Sequence, residues 1–159
     1  MHMFDASSSI YGWDNYPSAQ FPRLWDWLGS QFSSQLVQIS ETAYNEVCAR
    51  QPACGSWLKA QNVTIVGISE SVLMEASNIK MLLSIAGDDY HPNGVGESDL
   101  LIIASAKVNG ATLVSDESKQ PNLPSLRKRY KIPAVCAFIN SPVPCQNFLE
   151  YIRSSGQVF

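Results

Sequence analysis

Gly96-Glu97-Ser98-Asp99-Leu100-Leu101-Ile102-Ile103-Ala104-Ser105-Ala106-Lys107-Val108-Asn109-Gly110-Ala111-Thr112-Leu113-Val114-Ser115-Asp116-Glu117 is the stretch that decides how the chain folds. Two acids, Glu97 and Asp99, open an apolar helix. Leu101, Ile102 and Ala104-Ser105 form its body, Val108 continues it, and Gly110 is the expected C-cap. Ala111 to Val114 reads as a short strand that ends in Asp116 and Glu117. Open α/β sheets present functional groups at the C-terminal ends of their strands. Acids at a helix start and at a strand end can therefore converge, and the question becomes which other acids meet them.

Upstream, Met1 to Phe4 is an apolar run that ends at Asp5, followed by Ala6-Ser7-Ser8-Ser9. This reads as a first strand and the entry to a helix. The serines can cap that helix, or donate to the Asp5 carboxylate and hold its rotamer. Taken alone, Asp5 reads equally well as a turn acid. Phe21, Leu24, Trp25, Leu28 and Phe32 recur at helical spacing. That aromatic stripe suits core packing better than base stacking, and Gly29 weakens the helix. Leu36 to Ile39 is a strand candidate. Ser40 caps a helix from Glu41, with Glu46 beside Val47 and so facing a cleft. Gln51 to Gly55 breaks the chain, and Ser56 to Ala60 is a short helix. Val63 to Ile68 reads as an extended connection. Ser69 caps a helix that Gly87 ends. Asp88-Asp89-Tyr90-His91-Pro92-Asn93-Gly94 carries two acids and a histidine, but its turn chemistry favours a solvated loop over a metal site.

Downstream, Arg127-Lys128-Arg129-Tyr130-Lys131 is the one basic cluster. It reads equally as a phosphate contact and as a solvated helix end. Pro133, Pro142 and Pro144 punctuate the next section. Val143 to Cys145 is a last strand candidate, and Asn147 caps a closing helix that Gly156 ends.

A chain of 159 residues with 45% hydrophobic and 16% charged residues is expected to form one domain, residues 1–159, with a core that needs no staples. A net charge of −3 excludes simple nucleic-acid binding through global charge, and leaves room for a local basic patch. Cys48 and Cys54 are separated by five residues and Cys136 and Cys145 by eight, which matches no zinc signature. No stretch approaches ~18 apolar residues, and Asp5 interrupts any leader, so the expected setting is cytoplasmic, with reduced thiols and no membrane contact.

Strands and helices alternate, which implies a mostly parallel sheet covered by helices. In that arrangement Asp5, Glu46, Asp99, Asp116 and Glu117 can gather at one edge. Clustered carboxylates repel one another unless cations neutralise them. An oxygen-only site favours Mg²⁺ or Mn²⁺, ions that support phosphodiester hydrolysis.

With those residues in place, the chain resembles the PIN-domain ribonucleases, including VapC-type toxins. It is more closely similar to a PIN-like group of bacterial proteins found beside toxin–antitoxin-type partners. The matching pieces are FDASSSI, ISETAYNEV, SDLLIIASAKVNGATLVSDE and KIPAVC with the strand and helix after it, spread over nearly the whole chain. Each is weak alone; their order and spacing are more specific. The resemblance implies a three-layer α/β/α fold and a metal-dependent endoribonuclease, the toxin of a bacterial toxin–antitoxin system. It implies an RNA substrate and a cognate antitoxin protein, and it allows a homodimer. It makes Asp5, Glu46 and Asp99 the core metal acids and Glu117 the fourth, with Asp116 as the alternative. Ser7 matches the small polar residue that supports Asp5, and Ser115 stands in the Thr place of the strand-end pattern; Glu97, two residues before Asp99, is a candidate supporting acid that suits a helix-start role better. An RNA substrate needs cations beside an acidic centre, which makes Arg127, Lys128, Arg129 and Lys131 the candidate RNA contacts. The chain departs from the commoner pattern at Ala6 and at the final acid. Two rival readings are a nuclease acting on DNA or flaps, and a non-catalytic PIN-like binding or regulatory module.

Overall fold

A computed structural model of the chain describes residues 1–159. Five strands form one sheet in the order β3-β2-β1-β4-β5, with every adjacent pair parallel. They are β1 (His2–Phe4), β2 (Val37–Ser40), β3 (Thr64–Val66), β4 (Thr112–Val114) and β5 (Cys145–Gln146). The first strand lies in the middle. Its Met3 and Phe4 point to opposite faces, and both are buried, as expected of a strand covered by helices on both sides. The sheet is fully parallel, which sharpens the expected α/β/α class.

Eight α-helices connect the strands: α1 (Ala6–Asn15), α2 (Pro22–Ser33), α3 (Glu41–Arg50), α4 (Pro52–Ala60), α5 (Glu70–Leu82), α6 (Glu97–Val108), α7 (Ile132–Phe138) and α8 (Phe148–Ser155). Their starts follow local chemistry. Ser40 accepts from the Ala43 amide, Ser69 from the Val72 amide and Asn147 from the Glu150 amide. Each bond satisfies an amide that the first helical turn leaves without a partner. The apolar faces merge into a single core of 36 buried hydrophobic residues.

Several sequence expectations need correction. Val63 to Ile68 contains β3, an edge strand whose Ile65 is exposed. The short helix expected at Ser56 begins at Pro52, and α7 begins around Pro133. In both, proline sits in the first turn, where its missing N–H costs nothing. Helix α5 stops at Leu82, before Gly87, and the chain turns at Ser84 with φ 58°. Asn109 caps α6, and Gly110 follows it at φ 61°. The last strand lies at Cys145–Gln146. In the basic run Arg127–Arg129 form one 3-10 turn, and Lys131 is the N-cap residue of α7. Helix α2 runs through Gly29, where a Cβ would fall 2.5 Å from the Gln61 side chain that packs there.

All four cysteines are free thiols; Cys54 and Cys136 are buried, and Cys48 and Cys145 half-buried. No helix is long and apolar enough to cross a membrane.

Candidate acidic site at the sheet switch point

The strand order reverses at β1. From β1 the chain moves outward through β2 and β3, then returns to add β4 and β5 on the other side. In open parallel sheets the crevice at such a reversal is where ligands bind. Phe4 is level with Val114 across the β1–β4 pair. The residues just beyond, Asp5 on one strand and Ser115 on the other, therefore meet at that reversal.

Asp5 is buried, and its carboxylate is held by three donors. The Ala6 amide donates to Oδ1 at 2.7 Å, and the Ser7 and Ser115 hydroxyls donate to Oδ2 at 2.5 Å and 2.9 Å. Burial raises its pKa; these hydrogen bonds work against that rise, and the nearby Glu46 carboxylate adds to it. Ser7 also accepts from the Asp116 amide at 2.9 Å. Both serines expected to support Asp5 thus touch it, and Ser7 links β1 to the chain leaving β4.

Asp99 lies in the first turn of α6. Its Oδ2 accepts from the Gly96 amide at 2.8 Å, so Asp99 caps its own helix and keeps Oδ1 unengaged. Burial pushes its pKa up to about 6; the Gly96 amide opposes the rise, while the charges of Asp5, Glu117 and Glu46 increase it. The other three acids expected at the core of the site are therefore all close enough to act on Asp99.

The strand-end pair divides. Asp116 turns toward α8, and its Oδ2 accepts from the Phe148 amide at 3.1 Å. Burial, with the charges of Asp5 and Glu150, lifts its pKa to about 6, and the Phe148 bond opposes that. Glu117 instead lines an open cleft of about 200 Å³ with Asp99, Lys131, Ile132 and the turn at 92–95. Neighbouring residues on extended chain face opposite ways, so the two acids part. Glu46 pairs with Arg50 at 2.8 Å on the surface of α3, an i,i+4 bridge of the kind that contributes about 0–1 kcal/mol. Glu97 is exposed on α6 and borders a separate depression with Lys80 and Tyr90.

The four bases also separate. Arg127 stacks on the Phe138 ring, 5.0 Å from its centre. Lys128 pairs with Asp89 at 2.8 Å. Arg129 is exposed. Lys131 alone among the four lines the cleft with Asp99 and Glu117. The turn at 92–95 is a wall of the cleft that sequence reasoning missed. Asn93-Gly94 signals a turn, but nothing local tells where that turn packs.

No three His, Cys, Asp or Glu side chains converge closely enough to form a finished metal cage. The donor chemistry nevertheless fits a hard divalent cation. The groups are carboxylate oxygens, the Asp99 Oδ1 and the Glu117 carboxylate accept no hydrogen bond, and burial together with the charges of Asp5, Glu117 and Glu46 raises Asp99.

The comparisons with known proteins agree with this fold. A crystal structure of VapBC2 from Rickettsia felis, bound to a DNA fragment from its promoter, is similar at a TM-score of 0.54 and 17% sequence identity, over 92% of this chain and 97% of that one. No curated protein matches the chain in sequence. The family described as Domain of unknown function (DUF4411) matches residues 2–159. The chain belongs to that family, and its fold is PIN-like.

Proposed function

We propose that this protein is a metal-dependent ribonuclease, the toxin half of a bacterial toxin–antitoxin pair. The observation that carries the reading is the placement of buried Asp5 at the switch point of a parallel sheet, with Asp99 and Glu117 lining the cleft beside it and burial and neighbouring carboxylates raising Asp5 and Asp99. Acids are costly to gather in this way unless a cation is the intended occupant. Asp5, Asp99 and Glu117 would hold Mg²⁺ or Mn²⁺, with Glu46 released from Arg50. The ion supplies activation of water and stabilisation of the leaving oxygen. The chain's own residues supply the rest. Ser7 and Ser115 fix the Asp5 rotamer, Gly96 fixes Asp99, and the basic segment 127–131 attracts the substrate backbone. The likeness to VapBC2 supports a protein partner acting as antitoxin, and an RNA-cutting toxin of this kind would work in the cytoplasm.

The test is cleavage of single-stranded RNA, single-stranded DNA and a flap substrate by the purified chain, with Mn²⁺ or with EDTA. Cleavage of RNA first, abolished by EDTA, is the expected result. Preference for DNA or flaps moves the substrate class. A second reading, a binding module without turnover, is favoured by the three internal donors that already occupy Asp5. Calorimetric titration with Mn²⁺ separates them: no heat and no cleavage leave the module.

A further inference from the structure

The wall facing Asp99 and Glu117 is irregular chain, yet it is held on two sides. On one side Gly94 lies against the backbone of the basic segment. A Cβ at Gly94 would fall 1.9 Å from the Lys128 carbonyl oxygen and 3.0 Å from the Arg129 Cα. The next residue, Val95, donates its amide to the Tyr130 carbonyl at 2.9 Å. On the other side the Gln120 side chain spans the same segment. Its Nε2 donates to the Arg129 carbonyl at 3.0 Å, and its Oε1 accepts from the Lys131 amide at 2.8 Å. The backbone from Lys128 to Lys131 is therefore clamped just where it enters the cleft.

The clamp turns one unpaired cation into the cleft, since Arg129, also without an ion pair, is exposed and does not line it. Lys107 pairs with Glu75, Lys119 with Glu150 and Lys128 with Asp89. Lys131 makes no ion pair, although two carboxylates share its cleft. The amides of Asn93, Gly94, Val95 and Gly96 are all spent within the protein. An anion entering this cleft thus meets two acids on one wall and one unpaired ammonium on the other.

We propose that Lys131 is the phosphate-binding group of this cleft and that Gly94 is its positioning residue, acting through the backbone of Lys128 and Arg129. The proposal rests on the nuclease reading and adds how the substrate backbone is seated against the acids. Only glycine lets the 92–95 turn approach closely enough to hold Lys131 at that wall.

Binding of a labelled single-stranded RNA oligonucleotide, measured by fluorescence anisotropy with Mn²⁺ in an Asp5→Asn background, tests it. Lys131→Ala weakens binding about tenfold, the scale of one hydrogen bond to a charged group, and lowers the salt slope by about 0.7. Lys131→Arg restores both. Gly94→Ala weakens binding when Lys131 is present and adds nothing once Lys131 is alanine. Calorimetric Mn²⁺ binding by the otherwise native chain is not weakened in either variant. Full affinity in Lys131→Ala overturns the proposal, as does a Gly94→Ala loss that adds to that of Lys131→Ala. Lys131 has no bonded side chain to lose, so it carries the test even if Gly94→Ala does not fold. If the native chain neither cuts nor binds RNA, the nuclease reading fails and takes this proposal with it. A native chain that cuts RNA, with variants that bind it equally well, overturns the proposal alone.

Discussion

The acid wall of the cleft hangs from regular structure: Asp5 follows β1, Asp99 sits in the first turn of α6, and Glu117 stands three residues beyond β4. The basic wall opposite hangs from a turn and a 3-10 segment, held by a glycine contact, a glutamine side chain and one surface ion pair. Sheet and helix fix the first wall through many shared hydrogen bonds, and the Asp5 and Asp99 carboxylates also accept bonds of their own. The second wall has few bonds, and each is single. Groups that must keep a fixed mutual geometry are best carried by rigid elements, and groups that only attract a ligand tolerate loops. The division suggests that the acids set the chemistry and the lysine sets the affinity.

Substitutions can break or sharpen that contrast. The largest effect belongs to the acid wall. Asp5→Asn and Asp99→Asn are expected to lower single-turnover RNA cleavage at least about a thousandfold, the loss of several kcal/mol that a misheld ion entails, with circular dichroism unchanged. Cleavage at the native rate by either variant would remove the acids from the chemistry. Next is the support beneath them. Ser115→Ala leaves Asp5 one donor short and is expected to cost about tenfold to a hundredfold in activity, read from cleavage rate at saturating Mn²⁺. An unchanged rate would show that Ser7 and Ala6 suffice.

A smaller effect is one of pH. Burial and like charges raise Asp99 to about 6 in the folded chain, above the ~3.9 of an unfolded aspartate. The folded state therefore binds more protons between those values. The metal-free protein should gain stability as pH falls from 7 through 6 toward 4, and lose it as pH rises again. Asp99→Asn should flatten that slope and stabilise the metal-free protein at pH 7 by about 1–2 kcal/mol. Urea unfolding at several pH values measures it, and a native chain more stable at pH 7 than at pH 5 contradicts it. The smallest effect lies on the basic wall: Lys128→Ala removes only an exposed bridge to Asp89 and is expected to leave the melting temperature almost unchanged. A large drop would mean that the wall depends on this ion pair more than on Gly94.

Most of the acid wall was legible in the sequence because it follows from topology. A strand ending in Asp5, a helix opening at Asp99 and a strand ending near Glu117 can be placed by periodicity and caps, and a parallel sheet brings their ends together. Ser40, Ser69 and Asn147 mark helix starts through bonds to nearby amides, which local sequence encodes directly. What stayed hidden depends on contacts between distant segments. The direction of Asp116 is set by the start of α8, 32 residues away. The turn at Gly94 is defined by the backbone of Lys128, which no local pattern encodes. Helix α7 escaped because a proline marks a helix start as readily as a break. β3 escaped because a three-residue edge strand is too short to show alternation.

The central strand is the first one made, and its partners at the reversal come last. Asp5 is bonded to Ser115, 110 residues later, and its amide to the carbonyl of Val114. During synthesis the emerging chain can pair β1 with β2, but it has no β4 to complete the sheet until β3, α5 and α6 have also been made. Contacts of such long separation form late. Until β4 and the residues after it are made, the growing chain therefore carries Asp5 without Ser115, one of the serines that hold it, and without Glu117. Whatever the finished cleft does, it cannot do before that point in synthesis.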